Sequence, residues 1–316
     1  TLDMLPEDNF RKKMIIPSAS YDKFQLLLQK GYEPQYTRNA LQLNNGSSPS
    51  PNGEGRGEVT FSDIAFLSHV SSTDWSWASL FADYDNDGDK DLMVTNGFYR
   101  DLGDQDYIHY QAKLNNPMGN QSAKRAEKLK AVKALANIPL QDYLFENNND
   151  LTFTKRSTDW GFNEPGFSNG ACYADLDNDG DLELIINQFN SKAKIFKNNA
   201  NELLKNNYLS IKLKGKQLNT DAIGSKVYVF TKGQMQMQEL NPYRGYESSM
   251  EPVLHFGIGK NTVADSIKII WPGGEQQKVI TVKANQAIDI AYAGTTRVDD
   301  AVMKNNSSYL FTNVTG

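Results

Sequence analysis

The 316-residue chain has one cysteine, Cys172, so no internal disulfide can form. That residue lies in an apolar segment where packing is its expected role, and a single thiol leaves the redox compartment open. No apolar run approaches the ~18 residues of a membrane-spanning helix. Histidine is sparse as well. His69, His109 and His255 are scattered without metal-ligand spacing, and His255 sits in the alternating stretch LHFGIG, where a structural role is expected. No G-x-S-x-G elbow and no phosphate-binding loop occurs. A pI of 5.4 and the lack of any RNA- or DNA-binding motif argue against nucleic acid as a partner. No signal peptide is present, and the start at Thr1 reads as a mature or internal piece of a longer protein.

The chain does have enough apolar matter for a core. Hydrophobic residues make up 39% and aromatics 11%, which argues against disorder, and the length allows two domains. Its net charge of −5 is unevenly spread. FADYDNDGDKDLMVTNG (81–97) packs five acids into nine residues, and YADLDNDGDLELIINQ (173–188) does so again. Those ten acids exceed the net charge, so the rest of the chain is positive by five. Two divalent cations would bring the total to −1.

Like charges this close cost stability unless something neutralises them. Asp83, Asp85 and Asp87 stand at positions 1, 3 and 5 of a loop, with Gly88 at 6, Asp89 at 7 and Asp91 at 9. Asp175, Asp177, Asp179, Gly180, Asp181 and Glu183 repeat the arrangement. Oxygen ligands at 1, 3 and 5 with glycine at 6 match the first half of a calcium loop, in which position 7 offers its backbone carbonyl. Neither loop is an EF-hand: position 12 is Val94 or Ile186, and Leu92, Met93 and Val94 read as a buried strand. A solvated acidic turn is the lesser alternative for one such stretch; two with identical spacing point to two calcium sites. Carboxylates held ionised by calcium are poor candidates for a glycosidase pair.

The loops belong to a larger repeat. Phe61 precedes Asp83, and Phe153 precedes Asp175, by 22 residues in each case; LQLNN (41–45) and LFENN (144–148) stand upstream of these units, and IFKNN (195–199) follows the second loop. Self-similarity on this scale signals propeller blades. The uneven spacing locates insertions: SSPSPNGEGRG (47–57), read as a hairpin extension, and roughly 104–140. Within the second, 122–137 is expected to form a helix capped by Ser122, with Lys124, Arg125, Lys128, Lys130 and Lys133 on a solvated or partner-binding face. Trp75, Trp77, Tyr99, Tyr107 and Tyr110 flank the first loop and suit either blade contacts or a stacking platform for a sugar or peptide. From about Tyr208, alternating strands without acidic loops indicate a separate all-β module, with a hairpin at Lys232-Gly233 and a turn at WPGG (271–274).

The D-x-D-x-D-G-x-x-[DE] loops resemble FG-GAP/VCBS repeats, the blades of integrin-type β-propellers. AIGSKVYVF (222–230), RGYESSMEPVLHFGIG (244–259), IIWPGG (269–274) and ANQ (284–286) resemble the ASPIC/UnbV domain. Together with DMLPEDNFRKK (3–13) and TDWSWASLFADYDNDGDKDL (73–92), the chain resembles the cartilage-acidic-protein-like surface proteins of Bacteroidota. The resemblance implies a mainly β fold: propeller blades with a helical insertion over 1–204, an ASPIC/UnbV β-domain over 205–295, and a linker and start of a further repeat over 296–316. It implies calcium on Asp83, Asp85, Asp87, Asp89 (carbonyl) and Asp91, and on Asp175, Asp177, Asp179, Asp181 (carbonyl) and Glu183. Glu183 departs from the usual Asp at position 9, and its longer arm can shift the ion. The resemblance further implies a lipoprotein at the outer-membrane surface, with the other domains of a longer chain and Sus-like transporter subunits as partners; a glycan or peptide ligand is the expectation that the aromatics beside the first loop raise. The expected function is a non-enzymatic binding or scaffold module. The alternatives are the framework of a polysaccharide- or peptide-degrading enzyme, or an adhesin.

Overall fold

The computed structural model describes residues 2–14, 21–32, 36–47, 59–114 and 120–293. Nearly all of the expected 47–57 extension and all of 296–316 lie outside them. Two short helices, α1 (Asn9–Met14) and α2 (Tyr21–Gln29), come first, followed by an antiparallel pair, β1 (Gln42–Ser47) and β2 (Val59–Asp63). The next sheet is an antiparallel meander of β3 (Ser76–Ala82), β4 (Asp91–Asn96), β5 (Tyr143–Asn147) and β6 (Phe153–Lys155). Between β4 and β5 lie α3 (Gln105–Leu114) and α4 (Gln121–Ala134), packed on each other. The third sheet is β7 (Ser168–Ala174), β8 (Glu183–Gln188) and β9 (Lys194–Phe196).

Strand β4 is buried on both faces, which is why its sequence is apolar without alternation. Met93 faces a cluster with Leu80, Ala82 and Leu144 of its own sheet and Ala171, Leu184 and Ile186 of the next. Leu92 and Val94 face a second cluster with Val70, Tyr143, Phe145 and Phe153. The four-stranded sheet is thus a blade covered by its neighbour on one side. The equivalent side of the third sheet is open: Tyr84 and Leu144 are 4% and 2% exposed, whereas their repeat counterparts Leu176 and Ile195 are 52% and 66% exposed. No ring of blades closes among the described residues.

A short helix, α5 (Ala200–Leu204), leads into a sandwich of two sheets. One is β13 (Val253–Gly259), β10 (Asn207–Lys214) and β16 (Gln286–Ala291), with β10 and β16 parallel. The other is β12 (Gln234–Glu239), β11 (Lys226–Thr231), β14 (Val263–Ile270) and β15 (Gln276–Lys283). Alternation puts Leu209, Ile211 and Leu213 of β10 against Val227, Val229, Ile267 and Ile269 in a core of the module's own. The β11–β12 hairpin closes through Lys232 (φ 45°) and Gly233 (φ 85°), the two positive φ values that a type I′ turn requires.

Two local expectations need correction. Helix α4 is capped by Asn120, whose side chain accepts from Ser122 N and Ala123 N, so Ser122 lies inside the helix and not at its cap. Asn120 is extended, as an N-cap must be, and its amide oxygen satisfies two of the free amides. Trp75 and Trp77 do not flank the acidic loop. They lie at the opposite end of β3, about 20 Å away at the rise of a strand. There Trp75 stacks on Phe98 (4.2 Å) and Trp77 meets Tyr246 of the sandwich (4.8 Å), while Tyr99 contacts Phe167 and Phe189. These rings are engaged with one another, as blade contacts.

Candidate metal centres

The first acidic loop connects β3 to β4, with Ala82 and Asp91 paired at its neck. Its acids fold the loop on themselves. Asp83 accepts from Asp87 N (3.1 Å) and Gly88 N (3.0 Å), Asp85 from Asp87 N (3.1 Å), and Asp87 from Asp89 N (3.0 Å). Asn86, with φ 60°, and Gly88, with φ 111°, supply the left-handed residues that reverse the chain. The second loop, between β7 and β8, repeats this. Asp175 accepts from Gly180 N and Asp179 from Asp181 N, and Asn178 and Gly180 also have positive φ.

Carboxylate oxygens of Asp83, Asp85 and Asp91 converge within 4.8 Å. In the second loop two triads do the same: Asp175, Asp177 and Glu183, and Asp179, Asp181 and Glu183. The Asp87 carboxylate is outside the first group, exposed and bonded within the loop. Asp181, expected to offer its carbonyl, brings its carboxylate into the second triad. Its Oδ2 accepts from Asn201 N, and its Oδ1 is buried without a hydrogen-bond partner. Asp89 Oδ1 and Asp175 Oδ1 are likewise buried and unpartnered.

Burial and crowding make these groups resist ionisation. Asp83 is pushed well above the usual carboxylate range by burial and then by Asp87 and Asp85. Asp91 is raised by burial and then by Asp85. Asp85 rises to about 6 and Asp89 to about 8, in both cases through burial first and Asp87 second. In the second loop burial lifts Asp181 to about 7 and raises Asp175. Asp177 moves the other way, because Lys197 donates to it at 2.8 Å. Lys90, within the first loop, has a buried Nζ with no hydrogen-bond partner among the described residues and is pushed down to about 7 by burial.

The donor set suits a hard divalent cation: several carboxylates, unpartnered buried oxygens and no nitrogen or sulfur ligand. A divalent charge would relieve the repulsion that raises these pKa values, and the oxygens with no protein partner are those an ion can satisfy. The residues present therefore fit the group that the spacing implies.

Sequence reasoning missed several asparagines. Asn147 and Asn198 hold the loop ends: Asn147 Nδ2 donates to Lys90 O (3.1 Å), and Asn198 Nδ2 to Leu182 O (3.3 Å) and Tyr84 O (2.7 Å). Asn201 donates to Asp179 O and Asn206 to Asp85 O. The recurring NN of LFENN and IFKNN was the available signal. Two adjoining clefts of about 330 and 350 Å³ lie apart from the loops, beside Glu7, Arg11, Asp74 and Tyr143.

Comparison with known proteins agrees with this arrangement. The family described as FG-GAP-like repeat matches residues 134–186, which include the second acidic loop, and the family described as ASPIC and UnbV matches 215–297. The chain is 34% identical over 145 residues to cartilage acidic protein 1 of Xenopus tropicalis, covering 44% of this chain and 21% of that protein. It is 32% identical over 133 residues to the Homo sapiens protein of the same name, covering 40% and 20%. The matched region spans about a fifth of the length of these relatives.

Proposed function

We propose that this chain, which carries an FG-GAP-like repeat and an ASPIC and UnbV domain, is a calcium-stabilised, non-enzymatic binding or scaffold module of a larger extracytoplasmic protein. The observation that carries the reading is the pair of acidic loops with converging carboxylates and buried unpartnered oxygens at equivalent places in successive blades. Bound calcium supplies positive charge and oxygen coordination. The chain's part is to present the carboxylates preformed, through hydrogen bonds from loop amides and left-handed Asn and Gly residues.

Extracellular calcium modules bind with a Kd of about 10⁻⁴ to 10⁻³ M. At roughly millimolar calcium each site then adds about 0.4 to 1.4 kcal/mol. That magnitude suits a structural ion that holds a blade junction shut. Metal analysis of protein purified without chelator should find two calcium ions per chain; none, or zinc in their place, overturns the reading.

A place at the outer-membrane surface, beside a Sus-like uptake system, is supported by the resemblance of the blade and sandwich motifs. No helix among the described residues is long and apolar enough to cross a membrane. Affinity purification of the parent from native membranes should bring down uptake-system subunits; recovery of the parent alone speaks against that role.

A further inference from the structure

Asn86 stands between ligand positions 3 and 5 of the first loop, yet none of its side-chain bonds is to that loop. It is fully buried, with φ 60°. Its Nδ2 donates to Gly180 O of the second loop (2.9 Å) and to Asn201 Oδ1 (3.0 Å). Asn201 in turn holds Asp179 O and Asp181 Oδ2. On the other side Asn86 Oδ1 accepts from His255 Nε2 of β13 (2.6 Å), and Asn86 O accepts from Gly259 N (2.9 Å). One residue thus joins both candidate metal loops and the sandwich.

The sandwich is seated on the loops around it. A Cβ on Gly257 would overlap Asp83 Oδ2 and the Asn86 backbone, and a Cβ on Gly180 would overlap the Tyr208 ring. Tyr208 stacks on His255 at 5.6 Å. The equivalent residue of the second loop, Asn178, is exposed, so this arrangement belongs to the first loop and not to the repeat in general.

We propose that Asn86 is a positioning residue that makes the two metal loops and the docking of the ASPIC and UnbV sandwich one cooperative unit. Filling the first loop fixes the backbone on either side of Asn86, and with it the Gly180 carbonyl and the His255 contact. Docking of the sandwich holds Asn86 in place and so favours filling of both loops. Coupling of this kind is reciprocal: what calcium does for docking, docking does for calcium. The proposal rests on the calcium reading given above.

The test uses the whole chain and calcium alone. Asn86→Gly keeps the left-handed backbone without strain and removes only the side chain. His255→Ala cuts the side-chain contact from the sandwich to Asn86 and leaves both the loop-to-loop bond and the Gly259 N bond to Asn86 O. Calorimetric titration and amide hydrogen exchange are measured together. Wild type should bind two ions with positive cooperativity, and calcium should protect the amides of β13. Asn86→Gly should still bind two ions, but independently and about fivefold or more weaker, with β13 exchange no longer responding to calcium. His255→Ala should weaken the β13 response around residue 255 and keep the coupling between loops, and this arm stands even where Asn86→Gly fails to fold. Asn178→Gly should match wild type. Calcium binding that is identical in wild type and Asn86→Gly, with unchanged β13 protection in both variants, overturns the proposal and leaves the calcium reading intact. No calcium binding by folded wild type overturns both.

Discussion

Asp91 and Glu183 hold the same pair of backbone amides in successive blades. Asp91 accepts from Tyr84 N (3.1 Å) and Asn147 N (3.0 Å); Glu183 accepts from Leu176 N (2.7 Å) and Asn198 N (3.2 Å). The longer arm of Glu183 reaches the two equivalent partners, so position 9 pins the start of each loop to the end of the third strand or the segment just after it, as well as facing the candidate metal centre.

Asp91→Ala should therefore destabilise the protein with or without calcium. It strands two amides of buried residues, at about 1–3 kcal/mol each, and relief of repulsion from Asp85 and Asp83 offsets part of that. A net loss of about 1–2 kcal/mol is expected in urea unfolding with chelator present. A loss seen only with calcium would show that Asp91 is a ligand and not a lock.

Asp85→Ala should behave differently. The Asp85 carboxylate accepts from Asp87 N, an exposed loop amide, and stands among like charges. In chelator its melting temperature should equal or exceed that of wild type. In millimolar calcium it should fall below wild type by the equivalent of about 0.4 to 1.4 kcal/mol. A deficit of equal size in both conditions would exclude a metal-directed role.

Lys197 occupies the place in the second blade that Glu146 occupies in the first, and it ties up Asp177. Lys197→Met should free that carboxylate and strengthen calcium binding at the second loop. Exposed ion pairs are worth up to about 1 kcal/mol, so the gain should be no more than about fivefold. Titration in an Asp85→Ala background isolates the second site; weaker binding there would mean that Lys197 supports the loop.

Asp142 gives a pH dependence away from both loops. It is buried between blades, accepting from Asn96 N (2.8 Å) and Ser168 Oγ (2.7 Å), and burial lifts it to about 6. The folded protein holds this proton more tightly than the unfolded chain. Its contribution is full below about pH 4 and is lost as pH rises through about 6. Asp142→Asn should thus gain on wild type between pH 4 and 7, by a difference on the order of 2 kcal/mol in unfolding free energy. A constant offset across that range would show that Asp142 does not titrate there.

The two loops were legible because their chemistry is local. Alternate acids followed by glycine fix ligand spacing within nine residues, and the apolar run Leu92-Met93-Val94 declares a strand buried on both sides. Asn86 was not legible: nothing in DYDNDGD distinguishes it from Asn178, and its partners lie 94, 115 and 169 residues away. His255 could be read as structural from its strand, but its partner could not. Trp75 and Trp77 are near the loop in sequence, but a strand carries them to the far end of the blade. The cap of α4 was misplaced because Asn120 and Ser122 are both good cap formers, and only backbone geometry decides between them.

The parallel pairing of β10 with β16 has a mechanical consequence. These are the first and last strands of the sandwich, hydrogen-bonded from Leu209–Gln286 to Lys214–Ala291. The chain enters at one end of the pair and leaves at the other. Tension along the backbone pulls the two strands lengthwise past each other. Their hydrogen bonds must then yield together and not one at a time. Pulled through residues 207 and 291, the module is loaded in shear.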